Sequence, residues 1–202
     1  GNVSFYNGTN NKNIWPTPVI GGVGLIDKLT KPMNHLFKKD NSTIIIVGKT
    51  FGHLEQSIFL EEIHSIIEGQ PPEINLINEK NNGESVLEII NKDLVNSVHD
   101  ISSGGLIITL AEMSMGSNYG VRIDKPKKLT DLFKYFFGED QGRYVLEIDR
   151  NNLEKVENIL KNNNVFYENI GFTQKDYFEI QKELKIDIKE LYKINNQWYN
   201  NY

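Results

Sequence analysis

Thr43-Ile44-Ile45-Ile46-Val47-Gly48 is a β-branched apolar run closed by a glycine, and its reading decides the fold. Such a run without polar alternation describes a strand buried on both faces, as in a sheet covered by helices on each side. Toward the C-terminus, helical and strand patterns alternate. Leu54, Ile58, Ile63, Ile66 and Ile67 lie at near-helical spacing, so a helix is expected over 54–68, ended by Gly69 and Pro71-Pro72. A second helix is expected over 74–92 in spite of Asn82-Gly83, then a strand over 95–99 and an amphipathic helix over 104–115. A strand over 119–123, a short helix over 129–137 and a strand over 144–148 follow. Leu153, Val156, Glu157 and Leu160 fall at i, i+3, i+4 and i+7 and predict a helix over 153–161. Strands near 165–170 and 177–180 and a helix near 188–194 complete the pattern. The expectation is an α+β (α/β layered) domain, a mixed sheet of five or six strands with helices against it.

Upstream of that run the chain reads differently. A strand is expected over 1–6, a polar loop over 7–13, and a buried strand over 19–26, entered through Pro16 and Pro18, which force extended backbone. Two strands do not make a stable domain. Residues 1–28 are therefore expected to finish a domain that lies largely elsewhere, and residues 29–202 to form the layered domain. A chain that opens on a strand-like run at Gly1 reads as a piece of something longer. An exposed edge at 1–28 predicts self-association or poor solubility of the piece alone.

Composition narrows the function classes. A formal charge of −5 argues against a general nucleic-acid binder. The absence of cysteine excludes disulfides and thiolate metal sites and fits a reducing cytoplasm. The longest apolar runs fall far short of the roughly 20 residues that span a bilayer. No phosphate-binding Walker loop, dinucleotide fingerprint or serine elbow is present, and His35, His53, His64 and His99 lack metal-ligand spacing.

Four junctions carry candidate chemistry. In His99-Asp100-Ile101-Ser102-Ser103-Gly104-Gly105, Asp100 can hold a divalent cation at a strand end, or Asp100 or Ser102 can simply cap the helix. In Gly138-Glu139-Asp140-Gln141-Gly142-Arg143, the polar groups can contact a ribose, a phosphate or a cation, or Arg143 can pair with Glu139 or Asp140 in a solvated turn. The turn Gly48–Ser57 looks like an anion-binding loop, although most such turns bind nothing. At Gly1-Asn2-Val3-Ser4, Asn2 offers a neutral oxygen to a metal, Ser4 a hydroxyl and Gly1 room for a phosphate.

Taken in order, Gly1-Asn2-Val3-Ser4-Phe5-Tyr6-Asn7, Pro16-Thr17-Pro18-Val19-Ile20, His99-Asp100-Ile101-Ser102 with Gly104-Gly105-Leu106, and Phe137-Gly138-Glu139-Asp140-Gln141-Gly142-Arg143-Tyr144 resemble the second half of the phosphoribosylformylglycinamidine synthase subunit II family. The resemblance implies two tandem copies of an A–B domain pair related to aminoimidazole ribonucleotide synthetase. Residues 1–28 would end the second A domain, and 29–202 would form the second B domain, a three-layer α-β-α unit partly like a ferredoxin fold. It implies an ATP-dependent ligase of purine biosynthesis that converts formylglycinamide ribonucleotide, glutamine and ATP to formylglycinamidine ribonucleotide, glutamate, ADP and phosphate. ATP would phosphorylate the substrate's amide oxygen, and ammonia would then displace phosphate. A glutaminase subunit and a small bridging subunit would be partners, and Mg2+ would accompany ATP. Carried over by motif, Gly1 would contact ATP, Asn2 would bind magnesium and Ser4 would contact the substrate. Asp100, Glu139, Gln141 and Arg143 would serve an auxiliary nucleotide site, or only the fold. The proposed catalytic histidine and most ATP ligands would lie in the first half, so no catalytic residue is assigned here and the piece alone is expected to be inactive.

Two departures stand out. Ser103 occupies a position where the family usually has an acid, and Glu55 one where glycine is frequent, which disfavours phosphate at that helix start. The competing readings are a sibling enzyme (aminoimidazole ribonucleotide synthetase, selenophosphate synthetase or thiamine-monophosphate kinase) and a purely structural subunit-docking module.

Overall fold

The computed structural model describes residues 7–10, 12–14, 21–25, 33–126 and 131–200. The chain divides into two compact units, residues 1–32 and 33–202.

In the first unit, β1 (Asn7–Thr9) and β2 (Lys12–Ile14) pair antiparallel, with Asn7 opposite Ile14. The expected polar loop is thus a hairpin, and Asn10, at φ 52, supplies a left-handed turn conformation that asparagine tolerates well. The strand expected over 1–6 and the Pro16–Pro18 entry lie outside the described residues. Where a buried strand was expected over 19–26, residues 21–25 form no strand and are exposed, Val23 and Leu25 included. A short two-stranded hairpin offers no sheet face wide enough to cover them.

The second unit runs β3 (Thr43–Val47), α1 (Ile58–His64), α2 (Leu76–Asn91), β4 (Ser97–Asp100), α3 (Gly105–Met115), β5 (Tyr119–Ile123), α4 (Leu132–Phe137), β6 (Tyr144–Ile148), α5 (Leu153–Asn162), β7 (Tyr167–Lys175), β8 (Tyr177–Ile180), β9 (Leu184–Asp187) and α6 (Ile188–Asn200). Among the described residues, its seven strands form one sheet in the order β4-β6-β3-β7-β5-β8-β9, antiparallel except for β5 beside β8.

Side-chain alternation in β3 separates the two cores. Ile44 and Ile46 join Leu106 and Leu110 of α3 and Phe136 of α4, whereas Ile45 packs with Val86 and Ile89 of α2 and Val156 and Leu160 of α5. All five residues of β3 are buried, as a central strand between two helical layers requires. Fully burying each isoleucine contributes about 1.5–3 kcal/mol relative to exposure. The fold is therefore a three-layer α-β-α arrangement on a mixed sheet.

Four elements differ from the sequence reading, and one of them, β7, runs past the expected 165–170 to Lys175. The helix expected over 54–68 is only α1, because the Ser57 hydroxyl accepts from Leu60 N and starts it late, and Ser65 enters the left-handed region at φ 55 and stops it. The sheet gains β9, an edge strand whose Lys185 and Asp187 hide its period behind charge. The last helix runs on to Asn200.

Two glycines make the strand crossings possible. β7 carries a bulge where its register on β3 shifts between Ile44 and Ile45, and there Gly171 sits at φ 155 with the Arg122 carbonyl 2.0 Å from where a Cβ would stand. At Gly120 a Cβ would lie 2.0 Å from the Tyr177 carbonyl, so a bare backbone lets the chain pass from β7 around the end of β5 into β8. No helix among the described residues is long and apolar enough to cross a membrane.

Candidate functional site

The C-terminal end of β3 opens onto a cavity of about 820 Å³. Its walls come from the loop after β3 (Gly48 to Glu55), the first turns of α2, and the Asp140–Gly142 turn ahead of β6. Two of the four sequence junctions, far apart in the chain, therefore meet at one place. α2 is capped by Asn75, whose side chain accepts from Asn78 N at 3.0 Å. One turn on, the buried Asn82 donates from Nδ2 to the Gly142 carbonyl at 2.8 Å and ties α2 to the second turn. Lys49 and Lys134 bring positive charge to the walls, and Glu55, Glu73 and Glu79 bring negative charge.

The most informative group is Asp140, which is 5% exposed. Its Oδ2 accepts from the backbone N–H of Phe51 and of Gly52, each at 2.9 Å, and its Oδ1 accepts from His53 N at 3.2 Å. Three successive amides converging on one carboxylate form the concave array that elsewhere binds an external anion. The loop does resemble an anion-binding turn, but the anion at Phe51–His53 is the protein's own.

Arg143 stands behind it and is not part of a solvated turn. Its side chain is fully buried, donating to the carbonyls of Asp140 at 3.1 Å and Gly138 at 2.6 Å and to Thr50 Oγ1 at 3.1 Å, with Asp140 Oδ2 at 3.8 Å. Burial pushes its guanidinium below its ordinary value, and the charges of Asp140, Tyr135 and Glu139 oppose that shift. Three hydrogen bonds and a carboxylate satisfy a charge that would otherwise be costly in the interior.

Glu139 joins two helix starts. Its Oε1 accepts from Ile58 N, the first residue of α1, at 2.9 Å, and from Gly104 N at 2.8 Å. Gly104 is the residue that caps α3, in left-handed backbone at φ 81 and without a side-chain cap of its own. Neither Asp100 nor Ser102 caps this helix; a carboxylate from the distant turn does, at the end where the helix dipole favours negative charge.

Of the residues singled out in the sequence, Gly1, Asn2 and Ser4 lie outside the described residues. Asp100 is exposed at the end of β4, with Oδ1 3.2 Å from His99 Nδ1, and is not among the residues lining the cavity. Gln141 is exposed on the cavity wall. Glu139 and Arg143 face inward. Tyr144, half-buried, has its phenol pushed above the ordinary 10.0 by burial and by the charges of Glu79 and Asp100. Asp140 and Lys49 lie in two of the junctions read from the sequence but were not assigned site roles, and Lys134 and Asn82, which no short-range pattern marks, were not singled out. The Asp140–Gly52 contact joins positions 88 residues apart.

Comparison with known proteins places this geometry. The family described as AIR synthase related protein, C-terminal domain, matches residues 39–181. Over all 202 residues the chain is 44% identical to phosphoribosylformylglycinamidine synthase subunit PurL of Pelagibacter ubique and 40% identical to that of Rhodopseudomonas palustris strain HaA2. It spans 28% and 27% of those proteins' lengths. Among solved structures, Thermotoga maritima PurL complexed with FGAR superposes with a TM-score of 0.64 at 14% identity, over 79% of this chain and 29% of that one. The same protein complexed with ATP gives 0.61 at 13% identity, over 79% and 27%. These likenesses establish the fold, and with the match over 39–181 the chain belongs to the AIR synthase related protein C-terminal domain family.

Proposed function

We propose that this chain is the C-terminal part of a phosphoribosylformylglycinamidine synthase large subunit, with residues 1–28 ending its second A domain and 29–202 forming its second B domain. The observation that carries this reading is 44% identity to the Pelagibacter subunit across every residue of the chain. The activity is that of the whole enzyme: ATP, ammonia and formylglycinamide ribonucleotide give formylglycinamidine ribonucleotide, ADP and phosphate. A glutaminase subunit and a small bridging subunit supply the ammonia, in the cytoplasm. Solved complexes of the Thermotoga protein with ATP and with FGAR support both ligands for the family.

In this reading Gly1 contacts ATP, Asn2 binds Mg2+ and Ser4 contacts the substrate. Among the described residues no three His, Asp or Glu side chains converge on one point, so the magnesium assignment stays with Asn2. Magnesium bound at Asn2 and in the preceding half would offset charge on the transferred phosphoryl group. For the auxiliary nucleotide site, Gln141 is the group placed to touch a ligand, Asp100 flanks the same end of the sheet, and Glu139 and Arg143 hold the loops in place. The anion array at Phe51–His53 is already filled, so a nucleotide there would be held without phosphate contacts to those amides.

The test is ADP release by the full-length enzyme with ATP, magnesium and ammonia, with and without formylglycinamide ribonucleotide. Release that depends on the substrate is expected. Its absence from a folded preparation would remove the synthase reading and favour a sibling activity.

A further inference from the structure

The segment from Phe51 to Ile77 contributes no residue to either hydrophobic core. Its helix α1 buries none of its own residues, although Ile58, Phe59, Leu60 and Ile63 are apolar. The segment is nonetheless tied together by hydrogen bonds and ring contacts. Glu55 Oε2 accepts from Gln70 N at 2.7 Å, Gln56 Nε2 donates to the Gly69 carbonyl at 3.1 Å, and His53 Nε2 lies 2.8 Å from the Gln70 carbonyl. Phe59 packs its ring 4.5 Å from that of Phe137 and 5.6 Å from that of Phe133, fixing α1 on α4. What this scaffold presents outward is apolar: Ile63 is 67% exposed, Ile67 65% and Phe133 60%. An ordered cluster of large apolar side chains left in water, beside a complete core that has no use for them, marks an interaction surface.

Charge says what kind of surface covers it. Residues 51–77 carry Glu55, Glu61, Glu62, Glu68 and Glu73 and no lysine or arginine, a formal −5 that equals the net charge of the whole chain. A second copy docking through the same face would set these carboxylates against themselves, which complementarity disfavours. More than two thirds of the Pelagibacter relative lies outside the stretch this chain matches, so a polypeptide of that length has chain enough to cover this face.

We propose that the apolar face formed by α1, Ile66, Ile67 and Phe133 docks against the remainder of the synthase polypeptide, on a surface whose apolar centre is flanked by lysine and arginine. This rests on the reading of the chain as part of that longer enzyme.

The experiment is hydroxyl-radical footprinting of the full-length enzyme, with labelling of Ile63, Ile67 and Phe133 compared with that in the unfolded enzyme. Docking predicts labelling below about a tenth of the unfolded rate, as for core side chains. Labelling in proportion to the 60–67% exposure of the uncovered face overturns the proposal. Protection that disappears on dilution to a monomer also overturns it, in favour of a second copy. In the Glu61→Lys/Glu62→Lys double variant, labelling is expected to rise several-fold as basic neighbours are repelled. Unchanged protection in that variant overturns the basic partner surface. Substrate-dependent ADP release measured on the same sample keeps the two readings separate: protection without release removes the synthase activity and leaves the docking, and release without protection does the reverse.

Discussion

Asp140 Oδ2 lies 2.9 Å from the backbone nitrogen of Gly52, in the place where a phosphate oxygen would sit if the loop after β3 bound an anion. The loop and the carboxylate that fills it arrive from β3 and from the turn before β6, neighbouring antiparallel strands in the sheet. The site is therefore a closed internal ion pair of Asp140 and Arg143 with three amides around it.

Asp140→Ala should empty this array and leave Arg143 without its carboxylate. Removing one partner of a buried ion pair costs about 3–5 kcal/mol. Sulfate or phosphate should recover part of that loss by occupying the vacated amides, and should leave the unmodified protein nearly unchanged. Thermal unfolding of both proteins across an anion titration checks this. Equal stabilisation of both by the anion would sink the idea that Asp140 occupies an anion site.

Glu139 gives a graded test of the shared cap. Glu139→Gln keeps an oxygen to accept from Ile58 N and Gly104 N but removes the charge at two helix starts, so a loss of about 0.3–1 kcal/mol per helix end is expected. Glu139→Ala removes the acceptor and should cost more, about 1–3 kcal/mol for each amide that water does not reach. Urea midpoints of the two variants should fall in that order, with the difference shrinking if α1 frays and lets water onto Ile58 N.

How much of this was legible in the sequence depended on the range of the interactions. The β3 run, with its two-sided burial, and helices α2, α3 and α5, with their apolar spacing, announce themselves locally, and each lies within a few residues of the reading. The strand that was missed, β9, is half charged because it lies at the sheet's edge. The start of α3 was legible as a place but not as a mechanism. Asp100 and Ser102 stand where a cap is expected, yet the acceptor is Glu139, 35 residues away. Asp140 and Arg143 read as polar turn residues, and only tertiary packing shows that both are buried. Sequence periodicity reports which face meets a core and says nothing about which distant loop brings an acceptor.

Gly171→Ala should be among the most damaging single changes in the domain. The bulge in β7 holds this residue at φ 155, and an added Cβ would stand 2.0 Å from the Arg122 carbonyl of the paired strand. Either β5 and β7 separate or the bulge is lost, and strain with lost ladder bonds of this kind costs about 3–5 kcal/mol. By contrast, Gly83→Ala, whose Cβ would meet nothing closer than the Tyr144 hydroxyl at 3.5 Å, should stabilise α2 by about 0.5–1 kcal/mol. Denaturant unfolding of the pair separates backbone strain from helix propensity, and a neutral Gly171→Ala would contradict the bulge argument.

Glu147 supplies the pH test. It is fully buried in β6, and its two oxygens accept from Lys38 N at 2.9 Å, Lys39 N at 3.0 Å and Ser97 Oγ at 2.9 Å, fastening the segment that leads into β3 across the sheet. Burial pushes its carboxyl above the ordinary 4.5, outweighing the hydrogen bonds from the Lys38 and Lys39 amides and from Ser97, which pull it down. The folded state therefore holds this proton more tightly than the unfolded chain does. Its contribution to stability is fully present below pH 4.5 and is lost as pH rises through the raised folded value. Glu147→Gln cannot ionise. It should be less stable at low pH, because an amide presents an N–H toward donors, and its deficit against the unmodified protein should narrow as pH rises. Urea unfolding from pH 4 to 8 checks the sign. A deficit that widened with pH would mean that the donors, not burial, set the charge of Glu147, and that the ionised carboxylate is what holds the Lys38–Lys39 segment on the sheet.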